Sequence, residues 1–258
     1  MNLDLKGKNA LVCGSTQGIG LASAQELALL GANVTLFARN KTSLEEAVVS
    51  LHRDGNQTHG YMVADFSDTQ QVKSVVEKNN HFHILVNNTG GPPGGKAIDA
   101  DINEFITAFS NHLINNQLLA QAIVPFMKSE GYGRIINIIS TSVKTPIKGL
   151  GVSNTTRGAV ASWAKTLANE LGEFGITVNN VLPGSTNTQR IWDIVENNAK
   201  KLGVSASEVE AKMKAEVPAG RFAEPYEIAA TVAFLATPAA AYINGINVPV
   251  DGGRTPSL

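Results

Sequence analysis

The sequence predicts an α/β fold: a single doubly wound domain whose seven-stranded parallel sheet is covered by helices on both faces. Three observations carry this expectation. Short apolar runs, of the length of interior strands, recur along the 258 residues. Longer segments with apolar residues at helical spacing separate most of them. A glycine-rich loop, Gly14-Ser15-Thr16-Gln17-Gly18-Ile19-Gly20, joins the first apolar run to the first helical segment.

The elements follow in order. Residues 9–13 read as a buried strand, and 19–30 as an Ala/Leu-rich helix ended by Gly31. A second strand at 33–38 leads to a helix at 42–52. Residues 61–64 and 83–86 are two further interior strands. A long helical stretch spans 101–128, and a strand follows at 134–139. Residues 153–174 return to helix, with Val160, Trp163, Leu167 and Leu171 on one side. Strands at 176–181 and 246–250 complete the seven. No composition shift or internal repeat marks a boundary, so residues 1–258 are read as one domain.

Apolar residues make up 43% and charged residues 17%, enough for a large core under an ordinary surface. A formal net charge of −1 without a basic block argues against nucleic acid or an anionic membrane as partner. The single Cys13 excludes an intramolecular disulfide and suits a reducing compartment. No apolar run approaches the roughly 20 residues that span a bilayer, and the first residues lack a signal-peptide pattern. A cytoplasmic protein without a metal site is expected.

The glycine loop carries the binding argument. Gly14 allows a tight turn, while Gly18 and Gly20 remove side chains where backbone must approach a diphosphate or pack on the sheet. The helix N-terminus beyond offers free N–H groups and a positive dipole end to phosphates. At the end of the second strand, Leu36-Phe37-Ala38-Arg39-Asn40 has no acid to accept from a ribose 2′-OH. Arg39 stands where it could pair with a 2′-phosphate, which favours NADP(H); the plain alternative is a solvated strand-end arginine.

With Val86-Asn87-Asn88-Thr89-Gly90 and Asn180-Val181-Leu182-Pro183-Gly184, in this order and spacing, the chain resembles the short-chain dehydrogenase/reductase family over nearly its whole length. The resemblance implies that Ser15 and Ile19 join the glycines at the cofactor. It implies that Asp65, with Phe66 beside it, contacts adenine. Asn88 and Gly90 would steady the central strand and approach the adenosine ribose, and Pro183, Gly184 and Thr188 would fix the nicotinamide end. Two positions depart from the family's residue types: Cys13 replaces a Thr and Thr89 an Ala. The long helices 101–128 and 153–174 resemble the family's dimer-forming pair, and the tail from Tyr242 its tetramer-forming end, so a homotetramer or homodimer is expected.

The catalytic positions depart further. The family's catalytic Ser falls on Ser140, its Tyr on Ser153, its Lys on Arg157, and the Asn that holds a relay water on His112. A phenol whose pKa is lowered by a neighbouring ammonium donates a proton near neutral pH; a Ser hydroxyl is far less acidic, and Arg keeps its proton. Arg157 could still bind the nicotinamide ribose. His112 reads either as a proton shuttle titrating near neutrality or as a satisfied buried histidine. Ser153 reads as a partner of Ser140 in polarising a carbonyl or as a helix N-cap. Lys144 and Lys148 are a replacement ammonium or plain loop lysines. The stiff loop Gly91-Pro92-Pro93-Gly94-Gly95 belongs near the ligand or is a rigid turn. Residues 185–222, including a helix at 207–216, are expected to cover the substrate, with Trp192 lining a pocket or packing within the segment.

Two functions fit this pattern. One is an NADPH-dependent reductase of an aldehyde or activated ketone, with Ser140 polarising a small-molecule carbonyl. The other is a catalytically silent NADP(H)-binding sensor or scaffold, and a lyase or isomerase is a third, more distant reading.

Overall fold

The computed structural model describes residues 1–257. Seven strands, β1 (Asn9–Cys13), β2 (Asn33–Ala38), β3 (Gly60–Val63), β4 (Ile84–Asn87), β5 (Gly133–Ile138), β6 (Ile176–Pro183) and β7 (Asn247–Val250), form one sheet in the order 3-2-1-4-5-6-7. Every neighbouring pair is parallel. The expected fold class is therefore the observed one.

Strand alternation divides the core in two. Ala10, Val12, Ile84, Val86, Ile136 and Ile138 face a cluster with α1 (Gly18–Leu29), α2 (Lys41–Val49) and α9 (Pro225–Ala236). Leu11, Leu85, Ile135 and Val178 face the opposite cluster, with α3 (Thr69–Lys78), α5 (Asn115–Glu130) and α6 (Gly151–Leu171). Small residues (Ala24, Ala28 and Ala233) bring α1 and α9 together within the first cluster.

The second face also holds a polar row. Asn87, Asn137, Asn180 and Asn247 sit in register on β4 to β7. Each amide nitrogen donates to the next side-chain oxygen: Asn87 to Asn137 at 2.8 Å, Asn137 to Asn180 at 2.9 Å, and Asn180 to Asn247 at 2.8 Å. The row lies at or next to the last residue of β4 and β5, midway along β6 and at the start of β7, and ties four strands together.

The long helical stretch is one continuous path with a defect. After α4 (Ile102–Phe109) the chain makes a π turn, Ser110–Ile114, before continuing as α5. Such wide turns recur at functional sites, and this one carries His112. Helices α7 (Gln189–Leu202) and α8 (Ala206–Ala215) leave the sheet as a pair with their own small cluster of Val195, Ala199 and Val209. A short parallel bridge, Thr186 to Ala223, closes the base of this excursion. Trp192 packs inside it, its Nε1 donating to Asn187 Oδ1 at 2.9 Å and its ring edge-on to Phe222.

Candidate active site

The strand order reverses between β1 and β4, and the expected ligand residues collect at the carboxyl ends around that point. Gly14 and Gly18 hold φ of +56° and +57°, open to glycine at little cost. A Cβ on Gly14 would lie 2.6 Å from the Asn88 carbonyl oxygen, and one on Gly20 would lie 2.7 Å from Asn88 Nδ2. Asn88 Nδ2 itself donates to the Cys13 and Gly14 carbonyls at 3.3 and 3.1 Å. Asn88 thus clamps the glycine loop against β4. No side chain caps the first turn of α1 and no acid neutralises it, so its N–H groups face the cleft unclaimed by the protein.

The other nucleotide candidates divide between cleft and scaffold. Ser15 is fully buried and its Oγ accepts from the Phe37 N–H at 3.0 Å, so its side chain is turned into the sheet rather than to a ligand. Ile19 is half-buried against the first core cluster. The Cys13 thiol is buried and its pKa raised by desolvation, an inert group. Arg39 is 79% exposed, its Nη1 4.0 Å from Asp65 Oδ2. The two residues, with Asn40, Lys41, Val63 and Gln71, line an open depression of about 510 Å³. Asn40 accepts from the Ser43 N–H and caps α2. The Ser67 N–H and hydroxyl hold the Asp65 carboxyl below the usual range against an opposing effect of burial, with Arg39 the smallest contribution. Phe66 packs edge-on to Phe37, and its carbonyl accepts from Asn115 Nδ2.

On the other side of the cleft, Gly184 donates to the Val250 carbonyl and lies too close to Asp251 for any side chain. Pro183 ends β6. The Thr188 methyl lies 3.2 Å from where a Gly18 Cβ would stand, so the loop after β6 closes over the glycine loop. Gly90 is open, with nothing within 4 Å of its missing Cβ. A cleft floored by glycine and lined by free N–H groups, with an exposed arginine at one end, fits a phosphorylated dinucleotide.

Ser140 follows β5, where its Oγ accepts from the Ser142 N–H at 3.1 Å and keeps its own proton to donate. Ser153 is not a helix cap: α6 begins at Gly151 with Leu150 as its N-cap, which corrects that expectation. The reason is the loop at 91–95. Gly95 donates to the Gly149 carbonyl at 2.7 Å and accepts from the Gly151 N–H at 2.9 Å, and a Cβ on Gly151 would strike Ala97. That backbone stitching starts the helix two residues early.

His112 is 2% exposed on the π turn, and its Nδ1 bonds Thr89 Oγ1. Thr89 and His112, two departures from the resembled pattern, are therefore each other's partners. Burial first, and Arg157 second, push the His112 pKa down to about 3. The expectation that it titrates near neutrality is corrected: the ring is neutral at pH 7. Arg157 is buried on α6, with Nη1 donating to the Ile138 carbonyl at 3.2 Å, Nε without a partner, and no ion pair among the described residues. Burial, then the nearby Arg190, bring its pKa down to about 10. Lys144 and Lys148 are exposed loop residues. Tyr61 bonds Glu45, Tyr132 bonds the Ala236 carbonyl, and Tyr226 and Tyr242 are exposed, so none of the four stands beside Ser140 as a stand-in acid.

Sequence reasoning missed Arg190 and Asn115. Arg190, at the start of α7, donates to the Pro92 carbonyl at 2.9 Å and reaches the same space as Arg157. Asn115 is fully buried with Oδ1 unpartnered, one turn from His112. Neither has a local signal. Thr89 did have one, as a departure coupled to His112.

The chain is similar to known proteins over nearly its whole length. The family described as Enoyl-(Acyl carrier protein) reductase matches residues 14–255. A chloroplastic tropinone reductase homologue of Arabidopsis thaliana is 33% identical, covering 97% of this chain and 76% of its own. The structure of L-sorbose reductase from Gluconobacter frateurii, complexed with NADPH and L-sorbose, superposes with a TM-score of 0.93 at 30% identity over 100% of both chains. YwfH, an NADPH-dependent reductase involved in bacilysin biosynthesis, gives a TM-score of 0.90 at 26% identity over 97% of this chain and 99% of its own.

Proposed function

Because the chain belongs to the short-chain dehydrogenase/reductase family, we propose that it is an NADP(H)-dependent oxidoreductase that reduces a small-molecule carbonyl without the usual Tyr–Lys pair. The observation that carries this reading is the joint placement of a clamped glycine loop, an uncapped helix N-terminus and Ser140 at one sheet edge. NADPH, when bound, supplies the hydride that forms the new C–H bond as it becomes NADP+. Gly14, Gly18, Gly20 and the first turn of α1 would hold its diphosphate, and Arg39 its 2′-phosphate. Gly90, Pro183, Gly184 and Thr188 would border the rest.

Ser140 donates its hydroxyl proton as a hydrogen bond to the carbonyl oxygen, with Ser153 as second donor, and so favours charge developing there. The oxygen takes its proton from water, because neutral His112 and Arg157 are poor acids at pH 7. His112 is a positioning residue that orients Thr89 at the cleft. Helices α7 and α8, within residues 185–222, act as the substrate lid, a role supported by their separate core.

No helix among the described residues is long and apolar enough to cross a membrane. We place the protein in the cytoplasm as a homotetramer or homodimer. An apolar row of Ile98, Ile102, Ile106 and Ile114, exposed before and along α4 and the π turn, supports assembly.

The test is NADPH oxidation against aliphatic and aromatic aldehydes, wild type beside Ser140→Ala. Turnover that falls about 100-fold or more in the variant is expected. NADPH binding without turnover in either protein would favour the alternative, a silent NADP(H) sensor or scaffold, which the absence of an acid at pH 7 supports.

A further inference from the structure

Among the described residues, the Arg157 guanidinium is the one buried charged group with an unpartnered nitrogen. It is 7% exposed, its Nε has no partner, and its single hydrogen bond goes to the Ile138 carbonyl. A buried cation is costly unless paired, and no carboxylate among the described residues pairs with it. A second guanidinium stands opposite. A Cβ placed on Gly91 would lie 3.9 Å from Arg157 Nη2 and 3.6 Å from Arg190 Nη2. Glycine at 91 leaves that point empty, and Arg190 is fixed by its bond to the Pro92 carbonyl. Two like charges held close around an empty point raise each other's energy unless an anion joins them.

We propose that Arg157 and Arg190 form a carboxylate-binding subsite and that the substrate is a short oxo acid. This rests on the reductase reading above and names its substrate class. Arg157 holds the carbonyl of Ile138, two residues before Ser140, so an anion at the pair sits close to the hydroxyl that polarises the reacting carbonyl. The carboxylate and the carbonyl of the substrate are then separated by few bonds, as in 2-oxo and 3-oxo acids. Planar guanidinium forks suit a carboxylate, and two of them fix its orientation. A carboxylate pinned in this way adds positioning to a site that has lost its usual acid.

The alternative source of the same anion chemistry is a phosphate of the cofactor. The experiment separates the two by titrating phenylglyoxylate, and separately its methyl ester, into protein saturated with NADP+, followed by calorimetry. With the cofactor's phosphates in place and no reduction possible, the acid is expected to bind at least about 10-fold more tightly than the ester. Arg190→Gln, with its unfolding curve as the control for folding, is expected to remove that preference and leave NADP+ affinity within about twofold. Equal binding of acid and ester, binding of neither, or a loss of NADP+ affinity in the variant would overturn the subsite. Because this readout needs no turnover, it can fail while neutral aldehydes are still reduced, and it can succeed in a protein that reduces nothing.

Discussion

Replacing Arg157 with Met removes a buried cation and keeps a flexible side chain of similar reach. The Arg157 pKa is lowered from the usual guanidinium range to about 10 by burial first and Arg190 second. At about 1.4 kcal/mol per unit, the charged form is disfavoured in the fold by roughly 3 kcal/mol. The unfolded chain holds this proton more tightly, so stability would rise with pH only above about pH 10. At pH 7 both states are protonated and the whole cost is present. Against it stands one hydrogen bond to the Ile138 carbonyl, about 1.5–3 kcal/mol when the donor is charged. Arg157→Met is therefore expected to leave the apo protein at least as stable as wild type, and more stable by up to about 1.5 kcal/mol, while weakening its action on substrate. Urea unfolding at pH 7 and fixed protein concentration checks this through the midpoint, provided m is unchanged. A variant clearly less stable than wild type would refute the reasoning, because the guanidinium would then be adequately solvated or paired.

Three other outcomes follow from the same coordinates. Asn137→Ala breaks two buried hydrogen bonds and leaves Asn87 Nδ2 and Asn180 Oδ1 without partners, a loss of about 2–5 kcal/mol in urea unfolding. Asn247→Ala, at the half-buried end of the row, should cost clearly less; equal losses would mean that the row is not a unit. The His112 pKa falls from 6.5 to about 3 on folding, so its contribution is whole above pH 6.5 and is lost as pH falls toward 3. Wild type should lose about 2 kcal/mol more stability than His112→Asn between pH 7 and 5, and parallel pH profiles would sink this account. Arg39→Ser should raise the KM for NADPH about 10- to 100-fold and leave that for NADH nearly unchanged, measured as initial rates with either cofactor.

The strand–helix alternation was legible because interior parallel strands are short and apolar, and because glycine at 14, 18 and 20 marks a loop that side chains cannot enter. Ser140, Arg157 and His112 were legible as positions, from spacing to fixed anchors. Their states were not. Whether His112 titrates near pH 7 depends on how deep the π turn buries it and on Arg157, 45 residues further along the chain. Ser153 looked like a helix cap because it opens a helical pattern. Backbone pairing between Gly95 and Gly149–Gly151, a contact across more than 50 residues, moved the true start. Arg190 had no signal, because an arginine at the head of an amphipathic helix reads as a solvated face.

The sequence by itself determined the topology and the ligand edge of this protein, since both follow from local period, glycine placement and the rule that ligands meet strands at their carboxyl ends. Only the tertiary structure decided which residues meet: Thr89 with His112, four asparagines across four strands, and two arginines around the vacant side of Gly91. The physical reason is that hydrogen bonding and charge act over a few ångströms in space. The partners that set them lie tens of residues apart along the chain.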